Sequence, residues 1–321
     1  MRIDSHNHAL PPAAIELVSK RPEFGITIEQ GRMSSFAHVP TDIAEAIRDP
    51  QAKIRELDRA GLEAAVVAIA PTFFAYKIEP DFGEELCRTV NTGLAEFAAA
   101  DDRRFRWMAH VPLQDPARAA QVLADAVAAG CVGVEIATSI GGQALDEPAV
   151  EPFWAAAERL SMPVMIHPMY NEPHQLMNQF YLQNVIGNLV ATTITAERLV
   201  CAGVLDRHPN LRVLLVHAGG FFPFQAGRLR HAAGVRPELA EAPADPWSYS
   251  GQLITDTITH DVVALRYLIE RMGEDNVVVG TDQPFDMGTV RPIDELEAAV
   301  PPATARKVAE ETPARLFGFK L

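Results

Sequence analysis

Two histidines one residue apart, His6 and His8, follow the first β-prone run of the chain in Ile3-Asp4-Ser5-His6-Asn7-His8. Side chains of an extended strand repeat every second residue, so both imidazoles point the same way and can bind one metal ion together. Further candidate ligands stand where later apolar runs end. Pro163-Val164-Met165-Ile166 runs into His167, Val213-Leu214-Leu215-Val216 into His217, and Val277-Val278-Val279-Gly280-Thr281 into Asp282. Imidazole and carboxylate suit Zn²⁺, Fe²⁺ and Mn²⁺, and a set without thiolates is unlike a structural zinc knot. The chemistry indicated is metal-assisted work on a small molecule.

The elements carrying these residues must bring them together. Short β-rich runs alternate with helical stretches: after Ile3 come Ala64 to Ile69, Phe105 to Val111, Val132 to Ile136, the runs before His167 and His217, Gln252 to Asp256, and Val277 to Val279. Strands separated by helices require a parallel sheet, and about eight such units close into a (β/α)8 TIM barrel of the α/β class. Asp115-Pro116 opens an alanine-rich helix ending at Gly130, and Pro50 to Gly61 reads likewise. In that second helix Ile54, Leu57 and Leu62 supply the apolar stripe, with Lys53, Arg55, Glu56, Asp58 and Arg59 assigned to the solvent side. Two segments exceed a minimal barrel: an insertion at about 9–49 after strand 1, rich in Pro, Ser and Gly, and an active-site loop at about 169–187 after strand 5. Both are expected at the C-terminal face of the strands, where barrel active sites lie, the second as a lid. One domain over residues 1–321 is expected.

Composition agrees. A chain of 321 residues with 48% apolar content can bury a barrel-sized core. A net charge of -14 opposes nucleic-acid and anionic-membrane partners, while leaving room for small acidic substrates in a local basic pocket. Cys87, Cys131 and Cys201 are odd in number, widely spaced and set in apolar surroundings, which reads as reduced thiols in a cytoplasmic protein. Neither a signal-peptide pattern nor an apolar run of about 18 residues is found, so neither secretion nor membrane spanning is expected.

Asp4-Ser5-His6-Asn7-His8, Ile166-His167-Pro168, Val216-His217-Ala218-Gly219-Gly220 and Gly280-Thr281-Asp282-Gln283-Pro284-Phe285 occur in the order characteristic of the amidohydrolase superfamily. The chain resembles in particular the branch containing aminocarboxymuconate-semialdehyde decarboxylase and the nonoxidative aromatic-acid decarboxylases. Asp49-Pro50 through Gly61, Val111 to Asp115 and the Pro313 to Gly318 ending extend the resemblance over essentially the whole chain. It implies that His6, His8, His167 and Asp282 ligate one divalent ion, most simply Zn²⁺, with Mn²⁺, Fe²⁺ or Co²⁺ as alternatives, water completing the shell and no organic cofactor. It further implies that His217 and Asp282 are catalytic, His217 moving a proton near that water. The expected reaction is nonoxidative decarboxylation of a small aromatic or unsaturated carboxylic acid, a carbon–carbon lyase activity. The same site would serve a hydrolase or hydratase of a lactone, amide or enoic acid, and loss of catalysis would leave a binding protein.

Glu135, in the fourth strand, is read either as a hydrogen-bonded interior residue or a group behind the ligands, its pKa raised if buried without a cation, or as a ligand to a second metal, as in two-metal members of the superfamily. An arginine that grips substrate in the best-known relative is missing near Phe36 to Thr41, whereas a second, donated across a homodimer, is matched by Arg228. In the loop after His167, Tyr170, Phe180 and Tyr181, with Met169 and Met177, suit the face of a flat substrate, and His174, Asn171, Gln175 and Asn178 its polar groups. His38 and His260 lie where substrate could pass. His110 is read as a rim residue, and His208 and His231 as surface residues.

Overall fold

A computed structural model describes all residues except 36–39, 170–174 and 244. The barrel strands are β1 (Ile3–Ala9), β5 (Ala64–Ile69), β6 (Phe105–Trp107) continued by β7 (Ala109–His110), β8 (Val134–Ala137), β9 (Val164–His167), β10 (Val213–Leu215), β11 (Leu253–Asp256) and β12 (Val277–Val278). The remaining strands, β2 (Ile26–Glu29), β3 (Arg32–Ser35) and β4 (Thr41–Asp42), form a small antiparallel sheet. Barrel neighbours pair in parallel in chain order, and helices occupy the crossovers. The last strand segment returns to the first: Ser5 donates to the Val279 carbonyl at 2.7 Å, Thr281 to that of His6 at 3.1 Å and His8 to that of Gln283 at 2.9 Å.

Burial on both faces explains the continuous apolar runs. Along β5, Ala64, Val66 and Ala68 pack inside the barrel with Ile3, Met108, Met165, Leu214 and Val278. Ala65, Val67 and Ile69 face outward into the helical layer. Phe317 and Phe319 from the C-terminal segment close this inner core.

A regular β1 would not serve both this core and the site. Ile3 and His6 are an odd number of residues apart, so strict alternation would turn one inward and the other out. The register jumps between Asp4 and Asn7: Ile3 pairs with Ala64 and Asp4 with Ala65, but Asn7 pairs with Val67 and His8 with Ala68. This irregularity resets the phase, so Ile3, His6 and His8 all face the interior.

Several expected features differ in detail. The 9–49 insertion is built rather than looped, with a helix Pro12–Lys20, the β2–β4 sheet and a helical turn Glu45–Arg48. The 105–111 run is interrupted at Met108, and the fourth strand is Val134–Ala137, shifted from the Val132–Ile136 expectation. Lys53 is not on the solvent side: it is fully buried, its ammonium 2.8 Å from Glu56, and burial lowers its pKa. His208 is also buried, its ring between Glu158 at 3.0 Å and Glu151 at 2.8 Å, because the turn folds back on the Glu151–Arg159 helix. His231 is exposed, as expected. Cys87, Cys131 and Cys201 are free thiols, and no described helix is long and apolar enough to cross a membrane.

Candidate metal centre

The ends of β1, β9 and the segment after β12 bring His6, His8, His167 and Asp282 together, with one ligand atom from each lying within 4.8 Å of the others. Nε2 of His6 and Nε2 of His8 are 3.2 Å apart. The Asp282 Oδ1 atom lies 3.0 Å from His8 Nε2, 3.4 Å from His6 Nε2 and 3.7 Å from His167 Nε2. Ligand atoms around a tetrahedral ion with bonds of about 2.0–2.1 Å are separated by about 3.3 Å, so these spacings fit one cation.

The far side of each ring decides what the near side can do. His8 Nδ1 faces the Ile69 carbonyl at 3.0 Å and His167 Nδ1 the Pro168 carbonyl at 2.8 Å. Carbonyl oxygens only accept, so these nitrogens carry the protons and both Nε2 atoms present lone pairs. His6 Nδ1 is likewise tied to Asp256 Oδ2 at 2.8 Å. The lone pairs of His8 and His167 and the Asp282 carboxylate thus converge with a single proton, on His6, available to share among them. Burial alone would lower the His6 pKa, but Asp256 and Asp282 outweigh it and raise it to about 10. Burial lowers the pKa of His8, and that of His167 to about 3. Asp282, despite burial that opposes ionisation, is held well below the usual carboxylate range by the surrounding histidines. A proton on His6 can relieve one contact only and leaves the buried His167 Nε2 without a hydrogen-bond partner. A divalent ion satisfies all four groups, so the residues fit a metal.

Room for this cluster depends on Gly280. A Cβ there would stand 2.8 Å from the Asp256 Cβ and 2.9 Å from the His6 Cβ, closer than buried carbons pack.

His217 faces the same carboxylate from the other side, its Nε2 3.3 Å from Asp282 Oδ2, while its Nδ1 has no protein partner. Asp282 therefore offers one oxygen to the metal ligands and the other to His217. The chain reaches this placement through left-handed backbone at His217 (φ 53°) and Ala218 (φ 57°), costing about 1–2 kcal/mol per residue in non-glycine positions. Consecutive N–H groups in such a turn form an anion-binding nest. The anion is Asp256, whose Oδ2 accepts from His217 N at 2.9 Å and whose Oδ1 accepts from Ala218 N at 2.7 Å. Burial would favour its neutral form, but His6 and the other donors lower its pKa. In the sequence Asp256 is legible only as the last residue of the seventh strand, with no role attached. Its position at a strand end, like that of the ligands, was the available signal.

The centre opens into a cavity of about 480 Å³ that His167, His217 and Asp282 share with Tyr181, Val185, Phe221, Ile258, Phe285 and Met287. Asn184, Asn188, His260, Asp286, Thr41 and Thr72 add polar groups, and no lysine or arginine is among the described lining residues. Of the expected substrate residues, Tyr181 lines this cavity. Phe180 does not: it is 85% exposed on the outside of the loop. Arg228 is exposed on the helix Phe222–Ala233, away from the cavity lining of its own chain. Tyr170, Asn171, His174 and His38 lie outside the described residues. His260 reaches the cavity, whereas His110 stacks on Tyr76 and is held neutral by burial, its pKa near 4. Phe285, which nothing in the sequence sets apart from the rest of its motif, packs its ring 5.0 Å from that of His8.

Glu135 is fully buried with both oxygens unpartnered, the nearer 4.0 Å from His8 Nδ1, and burial pushes its pKa well above the usual carboxylate range. It stands outside the converging four-ligand set.

A family model described as Amidohydrolase matches residues 3–319. The chain is 30% identical over 327 residues to 2-amino-3-carboxymuconate-6-semialdehyde decarboxylase of Dictyostelium discoideum, covering 99% of this chain and 89% of that protein. It is 30% identical over 253 residues to gamma-resorcylate decarboxylase of Rhodococcus jostii (strain RHA1), covering 73% and 77%. Among solved structures, dihydroxybenzoic acid decarboxylase from Polaromonas sp. JS666, with bound manganese and the inhibitor 2-nitroresorcinol, superposes with a TM-score of 0.78 at 22% identity over 99% of this chain and 96% of that one.

Proposed function

The chain belongs to the amidohydrolase family, and from that premise we propose that it is a metal-dependent, nonoxidative decarboxylase of a small aromatic or unsaturated carboxylic acid. The observation that carries the reading is the convergence of three imidazoles and one carboxylate, with His217 across that carboxylate, beside a largely apolar cavity. The relatives named as decarboxylases support the reaction class.

His6, His8, His167 and Asp282 would hold the ion, which when bound would supply positive charge to polarise substrate oxygens as negative charge develops. Phe285, Tyr181 and Val185 present apolar surface to the substrate's flat face and keep bulk water from the reacting carbon. His217, at the cavity wall and anchored to Asp282 Oδ2, delivers a proton to the carbon that loses CO₂. Hydroxyl or amino substituents beside the carboxylate would delocalise the developing charge. Glu135 stands outside the ligand set, which supports one ion per chain. Zinc matches the His3Asp set and manganese occurs in the Polaromonas relative, so both are candidate ions.

The cation-poor lining is the observation behind the second reading, in which the same centre hydrolyses or hydrates a neutral lactone, amide or alkene. Arg228 answers it if contributed by a second copy. Phe224, one helical turn before Arg228, is exposed, as are Phe221 and Ile194 on the adjoining surface, an apolar face suited to homodimer formation. Free thiols support a cytoplasmic location.

The test is a screen of hydroxy- and aminobenzoates and enoic acids with metal-loaded protein, recording CO₂ and product mass. Loss of 44 mass units, about 10²–10⁴-fold slower in a His217→Ala variant that keeps its metal, is the expected outcome. Products that gain one water instead of losing CO₂ would replace decarboxylation by the second reading.

A further inference from the structure

Asp256 has a place in this site that metal ligation alone does not require. Its Oδ2 accepts from His6 Nδ1 at 2.8 Å and from the His217 backbone N–H at 2.9 Å. Its Oδ1 accepts from the backbone N–H groups of Ala218 at 2.7 Å and Ile258 at 3.1 Å. One fully buried carboxylate therefore grips a metal ligand through its ring and the neighbouring histidine through its backbone. We infer that Asp256 is a positioning residue that fixes the distance between the metal centre and the proton-carrying imidazole of His217 by holding the left-handed turn at His217 and Ala218. The inference rests on the reading of His217 as proton carrier.

The geometry makes the role specific to a carboxylate. Among the described residues, each hydrogen-bond partner of either oxygen is a donor, two on each side. An asparagine of the same shape must turn its NH₂ towards one pair. Facing His6 and His217, it would force the His6 ring to move its proton to Nε2, the ligand atom, and would repel the His217 N–H. Facing Ala218 and Ile258, it would open the other half of the nest. Either way the turn loses the anion that offsets its strained backbone, and the imidazole of His217 is no longer held at 3.3 Å from Asp282 Oδ2.

Asp256→Asn protein, supplied with Mn²⁺ until metal analysis shows the same occupancy as the wild type, separates positioning from simple loss of metal. Two quantities are then compared: backbone amide hydrogen exchange of the 216–220 segment, and turnover with KM on a substrate found in the screen. Exchange about tenfold faster or more, together with kcat down by about 10–100-fold and KM within threefold, is the expected result. Wild-type exchange in the fully loaded variant would overturn the inference, and so would wild-type kcat despite faster exchange. Should Asp256→Asn fail to fold, Asp256→Glu retains the charge but moves it by one methylene, and the same two readouts apply. The exchange measurement needs no substrate, so failure of the proposed reaction and failure of this inference are told apart.

Discussion

Gly280→Ala is the smallest change that tests how the centre is packed. The added Cβ would lie 2.8 Å from Asp256 Cβ and 2.9 Å from His6 Cβ, where carbon contacts settle at about 3.5–4.0 Å. The shortfall of roughly 0.6–1.2 Å must be taken up by two fully buried side chains, one a metal ligand and the other its anchor. Metal sites tolerate displacements of about 0.5 Å, so ligation should suffer before the fold does. Overpacking of this kind costs about 1–3 kcal/mol. At about 2.1 cal/mol/K of unfolding entropy per residue, a chain of 321 residues loses roughly 1.5 °C of Tm per kcal/mol. The expected outcome is a modest Tm decrease of about 2–4 °C in metal-free protein, with metal affinity about 10–100-fold weaker by chelator competition. Gly251→Ala, whose Cβ meets nothing within 4 Å, is the control. Wild-type metal affinity in Gly280→Ala would refute the claim that this glycine makes room for His6.

Three other outcomes follow from the same geometry. Metal analysis of His167→Ala should find well under one ion per chain where the wild type holds about one, and about two ions in the wild type would bring Glu135 into the ligand set. In metal-free protein the proton on His6 is retained up to a pKa of about 10, so metal must displace it. Apparent affinity should therefore strengthen with rising pH, by up to about tenfold per unit between pH 7 and 9, and a flat chelator titration would contradict this. Light scattering should give about twice the 35.0 kDa chain mass, reduced to one chain by Phe224→Asp; a wild-type monomer would remove the homodimer.

Much of the site is legible in the residues alone. His6 and His8 are visible because strand periodicity puts alternate residues on one side, and His167 and Asp282 because each ends an apolar run. Less local features were hidden. Lys53 sits among charged neighbours and reads as solvent-facing, yet tertiary packing buries it against Glu56. His208 reads as a turn residue, yet Glu151 and Glu158, distant in sequence, enclose it. The aromatic content of the loop after His167 is plain, but periodicity does not say that Tyr181 turns to the cavity while its neighbour Phe180 turns outward.

The sequence by itself determined the fold class, the ligand types and their strand-end positions, because hydrophobic period and residue chemistry are local properties. Tertiary structure alone decided the phase of β1, where a register shift allows Ile3 and both histidines to face inward, and the pairing of Asp256 with His6 and the His217 turn. His6 stands 250 positions from that carboxylate in the chain, and only closure of the barrel brings the two together.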